Sequence, residues 1–180
     1  MAFMKRAIRE SLVKQIDDFY EVEKMLAYGV PEWFENGRRY EMAAHWPILE
    51  PDGSSRAHLA FRSSRLSSQE PSISVIFAGY PCYRIDLKRI EVCEANPLTV
   101  QHIGGFEALV CGSHCHPWDG NRTQVLHQRN GVWELPVRKN VSQSTRRLPQ
   151  ALAVLADYVR INLDGDQRNF DLPERGGLFS

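Results

Sequence analysis

Over residues 4–28 the apolar positions Ile8, Leu12, Ile16, Phe19, Val22 and Leu26 recur near the helical period. Arg9, Lys14, Asp17, Asp18 and Glu21 fall on the other faces. The spacing predicts an amphipathic helix that Gly29 and Pro31 bring to an end. From residue 38 the period drops to two. Tyr40, Met42, Ala44 and Trp46 alternate with Glu41, Ala43 and His45, which predicts a half-buried strand. Pro51-Asp52-Gly53 is a turn sequence, and residues 57–63 read as the returning strand with Leu59 and Phe61 inward. After a serine-rich loop at 63–68, residues 72–78 and 82–88 read as two more strands around a Gly79-Tyr80-Pro81 break. In the fourth strand Tyr83, Ile85 and Leu87 share one face, and Arg84, Asp86 and Lys88 the other.

Residues 89–104 carry turn signals at Asn96-Pro97 and Gly104-Gly105 but no clear period. Residues 106–111 are apolar enough for a fifth strand. Asn130-Gly131 between 123–129 and 132–135 predicts a hairpin. A second helix is expected within 142–163, with Pro149 in its first turn and Leu148, Leu152, Leu155 and Val159 as its stripe. Asp164-Gly165 stops it, and residues 170–180 read as a partly extended tail. Helix, turn-linked short strands and helix together predict a single α+β domain over 1–180. Its sheet is expected to be a mainly antiparallel meander of about 5–7 short strands, with both helices packed on one face.

Composition narrows the partners. In 180 residues, 22 Lys+Arg balance 22 Asp+Glu, so the surface as a whole is no polyanion binder. Two local clusters, Arg62, Arg65, Arg84, Lys88 and Arg89, then Arg138, Lys139, Arg146 and Arg147, keep nucleic acid among the partners the sequence admits. Solvated strand edges and an ordinary charged loop account for them more simply. No apolar run reaches the roughly 20 residues a membrane helix needs, so no membrane partner is expected. Lys5, Arg6 and Arg9 precede no apolar signal core, so the expected location is cytoplasmic and all four cysteines are expected as free thiols.

The densest chemistry lies in Cys111-Gly112-Ser113-His114-Cys115-His116-Pro117-Trp118-Asp119-Gly120-Asn121-Arg122, read as a loop bordering the main polar recess. Cys111, His114, Cys115 and His116 are donor types zinc prefers, so zinc is the one cofactor the segment admits. Adjacent residues rarely converge on one ion, however, and no second Cys-x-x-Cys exists. In extended backbone His114 and His116 face one way, as an acid–base pair requires, and Arg122 would hold a phosphate bidentately. Trp118, Asp119 and Asn121 read as binding residues beside them. A Cys115 thiolate activated by a neighbouring imidazolium is the third reading.

In outline, a long first helix, a four-strand meander, the His116-Pro117 turn and a closing helix are similar to ubiquitin-conjugating enzymes. That likeness implies the meander but not the activity, because the family's cysteine follows its His-Pro and no cysteine occurs from Trp118 to Ser180. A second resemblance is to uncharacterised small bacterial α+β proteins with a His-x-His-x-Trp segment. It is carried by Tyr83-Arg84-Ile85-Asp86, Asn96-Pro97, the segment from Gly112 to Arg122, and Leu172-Pro173-Glu174-Arg175. It implies a bacterial intracellular protein and assigns no activity. Because no catalytic set is complete, the expected function is a binding or interaction module with a His/Cys-rich site, facing a protein partner or small ligand without an obligate cofactor. The alternative is a small phosphodiesterase or nuclease, metal-independent or zinc-dependent, using His114, His116 and Arg122.

Overall fold

The computed structural model describes residues 6–37, 41–64, 70–100, 105–129 and 131–173. Expectations for Tyr40, Arg65, Gly104, Asn130, most of the serine-rich loop and the tail beyond residue 173 lie outside the described residues.

The first helix, α1 (Arg6–Glu21), buries Leu12, Val13, Ile16 and Phe19, whereas Ile8 at its start is 55% exposed. It ends sooner than its spacing predicts. Lys24–Leu26 forms strand β1 instead, because the ladder offers that backbone partners on both sides. The Lys24 ammonium turns back to donate to the carbonyls of Phe19 and Val22, which satisfies two acceptors the helix end leaves open.

Next come β2 (Phe34–Glu35), β3 (Glu41–Leu49), β4 (Ala57–Ser64), β5 (Ser72–Phe77) and β6 (Tyr80–Asp86). β3 to β6 form the antiparallel meander that period-two alternation predicts. Ala44 stands opposite Phe61, Phe61 opposite Ile73, and Ile73 opposite Ile85, so one face is a continuous apolar surface. β7 (Cys93–Ala95) and β8 (Leu109–Cys111) make a separate antiparallel pair, so the fifth strand is shorter than its apolar run suggests. β9 (His114–His116) then joins the main sheet beside β6.

The stretch expected to be loop and hairpin strand is helix α2 (Trp118–His127). Asn-Gly is a local signal, and a tertiary contact overrides it here. Arg9 of α1 donates to the carbonyls of Val125, Gln128, Arg129 and Val132, so the end of α2 and the chain after it close around one buried guanidinium. Residues 132–138 consequently run without strand pairing. β10 (Lys139–Asn140) pairs with β9, and α3 (Leu148–Val159) buries the predicted stripe with Pro149 in its first turn. β11 (Ile161–Asn162) closes parallel to β1, among the described residues the one parallel pair in an otherwise antiparallel sheet ordered β10-β9-β6-β5-β4-β3-β1-β11, with β2 on the side of β3. Residues of α1 and α3 belong to one core cluster with the inward face of the meander, as an α+β fold requires. No described helix is long and apolar enough to cross a membrane.

Two outcomes follow. Arg9→Met removes four hydrogen bonds of a buried guanidinium; Val125 and Arg129 keep backbone donors, whereas the Gln128 and Val132 carbonyls lose this donor, each loss worth about 1–3 kcal/mol. Urea titration should therefore show a loss of about 3 kcal/mol or more, and an unchanged midpoint would refute the role given to this contact. Burial pushes the Lys24 ammonium down to about 8, against the opposing pull of Glu50. An unfolded chain holds that proton up to about 10.5, so it binds more protons than the fold between those two values. Lys24's contribution to stability therefore rises with pH across that window. The buried thiol of Cys82, pushed up to about 12, acts in the opposite sense. The measurement is thus the difference in stability between wild type and Lys24→Met, followed from pH 7.5 to 10.

Candidate metal centre

Strand pairing decides which of these polar residues meet. β9 lies antiparallel to β6 with Arg84 opposite His116, Ile85 opposite Cys115 and Asp86 opposite His114. Side chains alternate along a strand. Cys115 therefore joins Ile85 in the core cluster, while His114, His116, Arg84 and Asp86 share the face away from the helices. The backbone still closes over three of them: His114, His116 and Asp86 are 1%, 5% and 4% exposed.

Each imidazole is fixed by a carbonyl. His114 Nδ1 lies 2.9 Å from the Gly112 oxygen, and His116 Nδ1 is bonded to the Leu135 oxygen. A carbonyl only accepts, so both Nδ1 atoms carry the proton and donate it. In the neutral rings, both Nε2 atoms then hold lone pairs. These point toward one atom, Asp86 Oδ2, at 3.7 Å from His114 and 3.2 Å from His116. The other carboxylate oxygen accepts from Arg84 Nε at 2.8 Å. His114 Nε2 is buried without a hydrogen-bond partner.

Three electron-pair donors thus converge, with one ligand atom from each within 4.8 Å of the others, and the group could hold a metal ion. The imidazole N–H to carbonyl bonds are the outer contacts that orient histidine ligands. Burial lowers the pKa of His114, with the Gly112 bond and the Asp86 charge opposing it, so its ring favours the neutral form a cation needs. Burial alone would raise Asp86. The Arg84 guanidinium, together with His116 when its Nε2 is protonated, outweighs it and holds the carboxyl below its usual range, ionised and ready as a ligand.

The other candidates have different work. Arg122 reaches the Asp17 carboxylate of α1 at 2.7 Å, and Trp118 Nε1 donates to the same carboxylate at 2.8 Å. Asn121 is fully buried, donates to the Pro117 and Val137 carbonyls and accepts from the Val137 amide. Asp119 contacts the Tyr158 hydroxyl at 3.2 Å. These four residues fasten α2 in place. The buried Cys115 thiol is pushed up by desolvation, so it is no activated nucleophile. Cys111 is not free either. It is bonded to Cys93, opposite it in the β7–β8 pair, which corrects the expectation of four free thiols; Cys82 and Cys115 remain thiols. The Val92–Gly112 hydrogen bond makes the next pair along, Cys93 and Cys111, a non-bonded one, where facing side chains approach most closely.

Asp86 is the site residue sequence reasoning missed, because it reads as one more charge on a strand's polar face. The signal that could find it is the complementarity of two period-two motifs, Arg84-x-Asp86 and His114-x-His116, once they are laid antiparallel. No protein-family model, no curated protein and no solved structure matches this chain.

Replacing both His114 and His116 by alanine empties two buried sites and leaves Asp86 with Arg84 alone. The double variant should lose on the order of 3–5 kcal/mol of stability. A melting temperature equal to wild type would place the pair in a surface loop, contrary to the burial described.

Proposed function

We propose that this protein is a metal-binding module in which Asp86, His114 and His116 hold one divalent ion. The observation that carries it is the pair of Nδ1–H groups committed to the Gly112 and Leu135 carbonyls, which turns both Nε2 lone pairs onto a carboxylate oxygen. Without a cation or an added proton, that arrangement sets acceptor against acceptor. Two imidazoles and one carboxylate suit zinc, which takes nitrogen and oxygen ligands in low coordination number. The same donors would suit ferrous iron, but iron of that kind works through open positions, and enclosure on this scale favours the closed ion.

Enclosure also favours a binding or interaction module over an enzyme. A hydrolytic site needs a concave opening to substrate, and the phosphodiesterase reading needs Arg122, which is tied to Asp17. A bacterial, cytoplasmic setting belongs to the same proposal. It rests on the second resemblance and on the lack of a membrane-spanning helix among the described residues.

Elemental analysis of protein purified without chelator should find about one equivalent of zinc per chain. Competition with a chromophoric chelator should give an affinity that falls at least about tenfold in Asp86→Asn and in His116→Ala. Free zinc at 100 times its Kd should raise unfolding free energy by about 2.7 kcal/mol. Protein that carries no metal and fails to compete with the chelator would end this reading.

A further inference from the structure

Gly112, whose carbonyl orients His114, is held from the other side by a disulfide. Its amide donates to the Val92 carbonyl at 2.8 Å, while its carbonyl accepts from His114 Nδ1 at 2.9 Å. Each of those two bonds joins it to a residue next to, or just beyond, the Cys93–Cys111 bond. Gly112 itself sits at φ +78°, and a Cβ there would lie 3.2 Å from the Ile90 side chain. The carbonyl's direction is therefore set by a left-handed residue wedged against Ile90 and pinned by a cross-strand bond. Ser113, next in line, contacts the Lys88 backbone, two residues from Asp86. The route from sulfur to ligand is Cys111, Gly112, His114, with one hydrogen bond in it.

The bond is also open to attack. Cys93 is exposed, and Cys111 lines a cleft of about 850 Å³ between β8 and the approach to α3. Lys88, Arg89 and Arg146 line that cleft together with Glu91 and Asp171, and Lys88 and Arg89 are paired with Glu70. Disulfides that persist in reducing compartments are most often transient or redox-sensing.

We propose that the Cys93–Cys111 disulfide is a redox control on the metal centre: oxidised, it holds the Gly112 carbonyl on His114 and the site binds its ion tightly; reduced, it releases both. This rests on the metal-binding reading above. In the chemical step, a small thiolate attacks one sulfur and expels the other as a thiolate. A second equivalent of thiol then attacks the mixed disulfide. The protein gains two electrons and two protons as two thiols, and the reductant leaves as its own disulfide. Loss of the Gly112 contact frees the His114 ring to rotate or change tautomer, and outer contacts of this kind are worth about 10–100-fold in metal affinity.

The test uses the full chain in three forms: oxidised, reduced with dithiothreitol that is then removed under anaerobic conditions, and the oxidised Gly112→Ala variant. Zinc affinity is read by chelator competition in each, with circular dichroism to confirm the fold. The expected result is a Kd about 10–100-fold weaker on reduction, recovered on reoxidation, and a comparable weakening in Gly112→Ala with its disulfide intact. Cys93→Ser/Cys111→Ser should bind as the reduced form does and ignore the reductant. Equal affinity in the oxidised and reduced forms, or tighter binding on reduction because the freed thiols join the ion, overturns the control and leaves the metal site standing. No zinc bound in either state overturns both.

Discussion

The antiparallel pairing of β9 with β6 is the constraint on which the polar centre depends. Three residue pairs set it, and a slip of one residue would turn Cys115 outward and both histidines into the apolar core. That alternative is costly enough that the register is firmly held. Cys115 packs in the same cluster as Ile85 and Trp118, and Tyr83 and Ile85 are buried on that side. The polar face thus inherits its geometry from the apolar one: the core fixes the strand, and the strand fixes where Asp86 meets the two imidazoles.

β9 is short, and its far end must be fixed as well. The chain turns at Pro117 directly into α2, so α2 has to stay where α1 holds it. Two residues of α1 do so from the two ends. Arg9 gathers four carbonyls at the C-terminal end, and Asp17 takes Trp118 and Arg122 at the N-terminal end. The Asp17–Arg122 pair is partly exposed and worth little alone. The Arg9 guanidinium is buried and makes four charge-assisted hydrogen bonds, which makes it the stronger clamp. Asn121 and Asn96 complete the frame. Each sends its side-chain amide to the unpaired run of 132–138, so the Leu135 carbonyl is presented to His116 by backbone that belongs to no ladder.

Much of this architecture was legible in the chain. The alternation of Met42, Ala44 and Trp46, of Leu59 and Phe61, and of Ile73, Val75 and Phe77 becomes the meander's inner face, and Leu148, Leu152, Leu155 and Val159 bury as their spacing predicts. What was not legible depends on contacts distant in sequence. Asn130-Gly131 signals a hairpin to any local reading, whereas the Arg9 contacts that hold the end of helix α2 come from more than a hundred residues away. For the site, His114 and His116 were legible as a pair sharing a face. Their burial was not, because the Gly112 and Leu135 carbonyls that cap them are backbone atoms without a sequence signature. Arg122 and Cys111 misled for the same reason. A guanidinium and a thiol advertise chemistry, but their partners, Asp17 and Cys93, are chosen by the fold.

The energetic case for an ion follows from counting donors. With both Nδ1 protons committed, the centre contains two ring lone pairs and a carboxylate oxygen, and the nearest external donor, Arg84, serves the other oxygen. One extra proton on His116 repairs its 3.2 Å contact with Asp86, yet His114 Nε2 remains buried and unmatched, at a cost of about 1–3 kcal/mol. A second proton, on His114, would be opposed by the same burial that already favours its neutral ring. A single divalent cation would meet all three electron pairs at once and compensate the carboxylate's charge.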